Sequence, residues 1–169
     1  MPTTVPPLTS IVHLLLVREV NDLIRELELL PEDLLWKTVP GVTNACGNLG
    51  LHIAGNLQHY VGAKLGATGY VRNREHEFAA KSGTRAEVIA GLKQTREMLD
   101  TVVPSLTDAA LASPFPEAVG GVIPNTAVFL THLAAHAAFH LGQAGYLRRV
   151  LTGETMSVNP VSVKGLEKL

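Results

Sequence analysis

Between Pro7 and Pro31 the chain carries Ile11, Leu14, Leu15, Val17, Leu23, Ile24, Leu27 and Leu30, apolar residues that return every third or fourth position. That spacing is the stripe of an α-helix, not the alternation of a β-strand. The prolines set its limits, because a proline nitrogen cannot donate to a helical ladder. Thr9 or Ser10 is placed to cap the start, and Leu30 is the last residue before the stop. Arg18, Asp22, Arg25 and Glu26 fall between the apolar positions and are expected to face water. An amphipathic helix of this length buries its stripe only against other elements, so the rest of the chain has to supply them.

Three further segments read the same way. The second is expected from Thr43 or Asn44, both good caps, to about Gly66, after a connector with Pro31, Trp36, Pro40 and Gly41. It contains Gly47, Gly50, Gly55 and Gly62, each costing roughly 0.5–1 kcal/mol relative to alanine, which points to close packing against a neighbour. A loop with Gly69, Arg72, Asn73, Arg74 and His76 follows. Thr84-Arg85-Ala86-Glu87 is a capping box opening a third helix, with Val88, Leu92, Thr95, Leu99 and Val102 as its buried stripe and an end near Pro104. Pro114, Pro116, Pro124 and the pair Gly120-Gly121 mark a long loop with room for a small turn. Asn125 or Thr126 caps a fourth helix that runs to about Leu151, before Gly153. The expectation is an all-α chain, one domain over 1–169, folded as a four-helix bundle. Its core covers about 10–152, with a long loop between helices 3 and 4 and a loosely held tail over 153–169.

Composition narrows the function classes. Fourteen Lys+Arg against fifteen Asp+Glu give a net charge of −1, which removes the electrostatic case for a nucleic acid or anionic membrane partner. The longest apolar stretch, Leu8 to Val17, is broken by Thr9, Ser10 and His13, and a spanning helix needs about 20 apolar residues. The start, Met1-Pro2-Thr3-Thr4-Val5-Pro6-Pro7, lacks the basic beginning of a secretory leader. The single cysteine, Cys46, allows no disulfide and no multi-thiolate zinc site, and a buried helical thiol of this kind is expected to be inert. A cytoplasmic location fits these features.

Seven histidines are the chemistry-bearing feature. His132, His136 and His140 stand four apart on the fourth helix, a spacing that puts neighbours on one face about 5–6 Å apart. Two imidazoles so placed can share one divalent ion, but the third is rotated by about 80°, so either His132/His136 or His136/His140 is the chelating pair. His52 or His59 on the second helix can supply a third nitrogen across the bundle. Three neutral imidazoles suit zinc or nickel first, then iron, cobalt or manganese, and leave coordination positions open. His13 and His76 read as ordinary hydrogen-bonded histidines. Glu19, Glu26 and Glu28 read as a solvated face. Arg72, Arg74, Arg148 and Arg149 are candidates for binding an acidic group, Tyr60 and Tyr70 for pocket walls, and Gln143 for orienting a ligand.

The run His136-Ala137-Ala138-Phe139-His140-Leu141-Gly142-Gln143, with Tyr146-Leu147-Arg148-Arg149 after it, resembles the last-helix motif of the DinB/YfiT-like superfamily. Asn48-Leu49-Gly50-Leu51-His52-Ile53-Ala54 resembles that superfamily's first histidine segment, and the helix order matches over about 10–152. Leu141 departs from the arginine that many members carry before the Gly-Gln. The resemblance implies metal ligands at His52, His136 and His140, leaving His59 and His132 beside the centre. It also implies an up-down-down-up bundle and a homodimer, in which the first helix is a candidate for buried apolar surface. Relatives of this type include transferases and isomerases that use low-molecular-weight thiols such as bacillithiol or mycothiol. The implied function is therefore divalent-metal binding, with a metal-dependent thiol S-transferase or hydrolase activity on a small-molecule substrate. The alternative is a non-catalytic, stress-related binding or interaction protein whose histidines are structural.

Overall fold

The computed structural model describes residues 5–158 together with Pro160, Val163 and Leu166; residues 1–4 and the rest of the expected tail lie outside the described residues. Helix α1 (Leu8–Glu28) is followed by a 3-10 turn (Glu32–Leu34). Helix α2 (Cys46–Leu57) runs on through a π-helical stretch (Gln58–Ala63) and a last short turn (Lys64–Gly66). Then come α3 (Arg74–Ala79), α4 (Arg85–Ser105), α5 (Asp108–Ala112) and α6 (Thr126–Thr152), with no strand among the described residues. The long helices make the bundle: α1 lies against α4 and α6, and α2 lies against the same two. Leu16, Leu23 and Leu27 of α1 meet Ile53, Leu57, Leu92, Leu99, Leu130 and Leu141 in one apolar core.

Several local expectations need correction. Thr9 and Ser10 are not caps; α1 starts directly after Pro7, whose carbonyl accepts from the Ser10 and Ile11 amides. Asp22 and Glu26 do not face water, nor does Glu19: all three are buried, because α1 is flanked by helices on two sides and its covered arc exceeds one stripe. Arg18 hydrogen-bonds Glu19, and Arg25 hydrogen-bonds Asp22 at 3.0 Å. Helix α2 starts at Cys46, beyond Thr43 and Asn44. The Asn48 Oδ1 takes the capping role from inside the helix by accepting from the Ala45 amide at 3.1 Å.

Other expectations hold. A methyl group on Gly50 would stand 2.5 Å from Val88 Cγ1, so α2 and α4 approach as the glycines implied. Thr84 and Glu87 exchange capping bonds at the head of α4, and its stripe Val88, Leu92, Thr95, Leu99 and Val102 is buried. Asn125 Oδ1 accepts from the Ala127 and Val128 amides to start α6, and Gly153 ends it in the left-handed region at φ 74°. The helices are not long and apolar enough to cross a membrane, among the described residues.

Candidate metal centre

His52 is on the face of α2 that meets α6, and His136 and His140 are one turn apart on the facing side of α6. Their rings converge: His52 Nε2 is 3.3 Å from His136 Nε2, and His136 Nε2 is 3.1 Å from His140 Nε2. One nitrogen from each of the three lies within 4.8 Å of the others. Three nitrogens around a tetrahedral ion at about 2.0–2.1 Å stand about 3.3–3.4 Å apart, close to the two contacts that His136 Nε2 makes.

The outer ring nitrogens decide which protons are present. His52 Nδ1 is 2.9 Å from Glu77 Oε2, and a carboxylate only accepts, so Nδ1 carries a proton and, in the neutral tautomer that this selects, Nε2 presents the lone pair. Arg72 Nη2 is at 3.4 Å from the same Nδ1, the longer contact. His140 Nδ1 donates to Gln143 Oε1 at 2.7 Å, which aims a second Nε2 lone pair the same way. His136 Nε2 faces both and can carry at most one proton, so a hydrogen bond satisfies only one of the two contacts. His136 Nδ1 is buried without a hydrogen-bond partner among the described residues. A divalent cation accepting all three lone pairs removes that conflict, and the donor set fits one.

A family model described as the DinB superfamily matches residues 15–144. The chain belongs to the DinB superfamily. No curated protein matches it. The superfamily match spans His52, His136, His140 and Gln143, and the structure brings together the register His136/His140 rather than His132/His136.

Burial, then the nearness of His140, His52 and His132, pulls the His136 imidazole down to about 4. Burial also lowers His140, against the hydrogen bond to Gln143, which acts the other way. At neutral pH both rings are therefore uncharged, as metal ligands must be.

Glu77, which sequence reasoning missed, anchors the arrangement. It sits on α3, a helix read from sequence as loop, whose start is capped by Asn73 Oδ1 accepting from the His76 amide at 3.0 Å. Arg72 grips both its oxygens, Nε to Oε1 and Nη2 to Oε2, each at 2.7 Å. Burial pushes the Glu77 carboxyl up, but the hydrogen bonds and charges of Arg72 and His52 together hold it below the ordinary glutamate value. Asn48 Nδ2 donates to the Glu77 and Ala80 carbonyls and fastens α3 to α2. The one usable signal in sequence is the unassigned acid pair Glu75/Glu77 beside Arg72, since a ligating histidine needs a partner for its other nitrogen.

The three histidines open on a cleft of about 380 Å³ whose walls include Asn56, Tyr60, Phe78 and Phe129, with Arg72 and Arg74 on one side. Tyr60 reaches this cleft from the π-helical stretch, where the wider turn rotates less per residue and brings it back toward the face of His52. His132 also lines the cleft, its ring stacked between those of Phe129 and His136, but it is outside the nitrogen cluster. His59 instead pairs with Glu117 at 3.1 Å.

The remaining candidates are elsewhere. Arg148 is not available to a ligand: it is fully buried and paired with Glu26, and its Nη2 donates to the Met156 carbonyl. Arg149 lies over the Tyr146 ring, and Tyr70 lines a separate hollow behind Glu77. Glu28 is exposed as expected. His13 pairs with Asp100, and Cys46 is buried with its thiol pushed up to about 12 by burial first and by Glu26 second.

Proposed function

We propose that this protein is a metal-dependent thiol S-transferase or a related hydrolase, acting on a small molecule in the cleft beside His52, His136 and His140. The observation that supports it is the convergence of three Nε2 atoms from two helices on the wall of an open cleft. Zinc or nickel suits such a nitrogen set best, with iron, cobalt or manganese as other occupants. When bound, the ion supplies Lewis acidity that acidifies a water or thiol at a position the protein leaves open.

The chain's own residues do the rest. Glu77 keeps the His52 proton on Nδ1, and Arg72 keeps Glu77 ionised and fixed. Gln143 does the same for His140. Phe78 and Phe129 give this largely polar cleft part of its wall, and Arg74 stands over the Phe78 ring at 5.0 Å, where an acidic thiol or substrate arrives.

The test is to incubate protein of measured zinc and nickel content with a cysteine-derived thiol and an alkyl halide, and to follow conjugate and halide by mass spectrometry. Metal-dependent conjugation abolished in His136→Ala supports the transferase. Cleavage of a p-nitrophenyl ester, offered in a parallel incubation, without conjugation supports the hydrolase, and metal binding with neither leaves a binding protein. We also propose a cytoplasmic homodimer. Val128, Phe139, Tyr146 and Val150 are exposed along the outer side of α6, and sedimentation of Phe139→Glu against the parent protein checks that surface.

A further inference from the structure

We infer that the molecule bound at the three-histidine centre carries a carboxylate, and that the unused end of Arg72 receives it. A guanidinium holds five N–H donors in one plane. Arg72 gives Nε–H and one Nη2–H to the two oxygens of Glu77, each at 2.7 Å, which occupies one edge of the fork. Nη1, with two N–H groups, has no hydrogen-bond partner among the described residues. The side chain is 9 % exposed and lines the cleft, and its Nη1 is not sealed from solvent as that of Arg148 is. Glu77 thus holds Arg72 rigid while leaving donors free at the cleft wall. The charge around them has one sign. Arg74, over the Phe78 ring, has no ion pair among the described residues, and no aspartate or glutamate lines the cleft. Glu77 balances Arg72, so the positive charge of Arg74 is uncompensated even without a metal, in a chain whose net charge is −1. Such a wall selects an anion. A carboxylate, planar with two acceptor oxygens, matches a guanidinium edge lying in the same plane. Arg72 Nη2 is 3.4 Å from His52 Nδ1, which places this subsite directly beside the ring whose Nε2 faces the centre. The ligand class is a small molecule with a metal-directed head and a carboxylate a short spacer away.

This inference rests on the metal-binding reading of the three histidines, and the test separates the two. Protein saturated with cobalt(II) at neutral pH is titrated with 3-mercaptopropionate and with its methyl ester, which share the thiol and the chain but not the anionic oxygens. Cobalt absorbance reads both metal uptake and thiol binding. Attraction of the carboxylate by the ion itself is common to wild type and variants, so the acid-to-ester affinity ratio, compared across them, isolates the arginines. Arg72→Lys keeps a positive charge beside Glu77 and removes the free fork. It is expected to lower the ratio about tenfold, the worth of one charge-assisted hydrogen bond, with the ester's affinity nearly unchanged. Arg74→Gln, a change on an exposed side chain that leaves the Glu77 contacts intact, should lower the ratio about threefold. Equal binding of acid and ester by the wild type, or a ratio that survives in both variants, overturns the inference. So does a loss in Arg72→Lys that falls on acid and ester alike, since Arg72 would then act only by positioning Glu77 and His52. Tighter binding of 2-mercaptoethanesulfonate, a tetrahedral anion on the same spacer, than of the acid overturns the assignment to a carboxylate. Absence of cobalt uptake by the wild type overturns the metal reading, and this inference falls with it.

Discussion

Glu77 Oε2 stands 2.9 Å from His52 Nδ1 while both side chains are almost out of solvent, so the orientation of one bundle histidine depends on a helix of six residues outside the bundle. Replacing Glu77 by Gln keeps the shape and removes the charge that fixes the His52 tautomer. We expect metal affinity to fall about 10–100-fold, measured by competition with a chromogenic chelator. Arg72→Gln acts one step further out and should weaken binding less. An unchanged affinity in Glu77→Gln would separate the carboxylate from the metal centre.

Gly55 offers a second way to reach the same contact. A methyl group there would clash with Glu77 Oε1, and the carboxylate would have to leave its place between Arg72 and His52 to admit it. Gly55→Ala is therefore expected to lower metal affinity as well as stability, by about 1–3 kcal/mol for the strain. Gly142, on α6 between His140 and Gln143, has nothing within 4 Å of the same added atom. Gly142→Ala should stabilise the protein by about 0.5–1 kcal/mol through helix propensity. Urea denaturation of the two variants tests the opposite signs.

The depressed histidines make a pH prediction for the metal-free protein. His136 titrates in the fold at about 4, below the ordinary 6.5, and His140 is shifted the same way. The unfolded chain thus takes up protons first as pH falls. Stability is unaffected above about 6.5, declines between about 6.5 and 4, and levels off below that as far as His136 is concerned. Melting temperature against pH, compared with His136→Gln, should show a shallower decline in the variant. Bound metal should steepen the decline, since protons and metal compete for the same nitrogens.

Much of this architecture is legible in the chain. The Thr84/Glu87 box, the Asn125 cap and Gly153 each act locally, so their residues predict the helix ends they make. The histidine centre is partly legible, because His136 and His140 share one helix and their relation is set by its pitch. Choosing His52 over His59 required either family resemblance or coordinates, since which turn of α2 faces α6 is a packing outcome. Glu77, Asn56 and the burial of Glu19, Asp22 and Glu26 were not legible. Each depends on contacts between segments distant in sequence, and an acid at a helical position between apolar ones looks the same whether it faces water or an arginine from another helix.

That last ambiguity is testable at Glu26 and Arg148. Their side chains are 1 % and 0 % exposed, and the pair joins α1 to α6 through the core. Arg148 also holds Met156, just ahead of the buried Val158. A buried pair and the removal of one member are energetically different. Arg148→Met leaves the Glu26 carboxylate without its counter-charge and is expected to cost about 3–5 kcal/mol. Glu26→Gln does the converse to the guanidinium. The double variant Glu26→Leu with Arg148→Met removes both desolvation penalties and should recover most of that loss, giving a large positive coupling in a double-mutant cycle read by urea denaturation. If the two single changes were nearly neutral and additive, Glu26 and Arg148 would be solvated in solution, and the clamp between the first and last helices would have to be assigned to the apolar contacts alone.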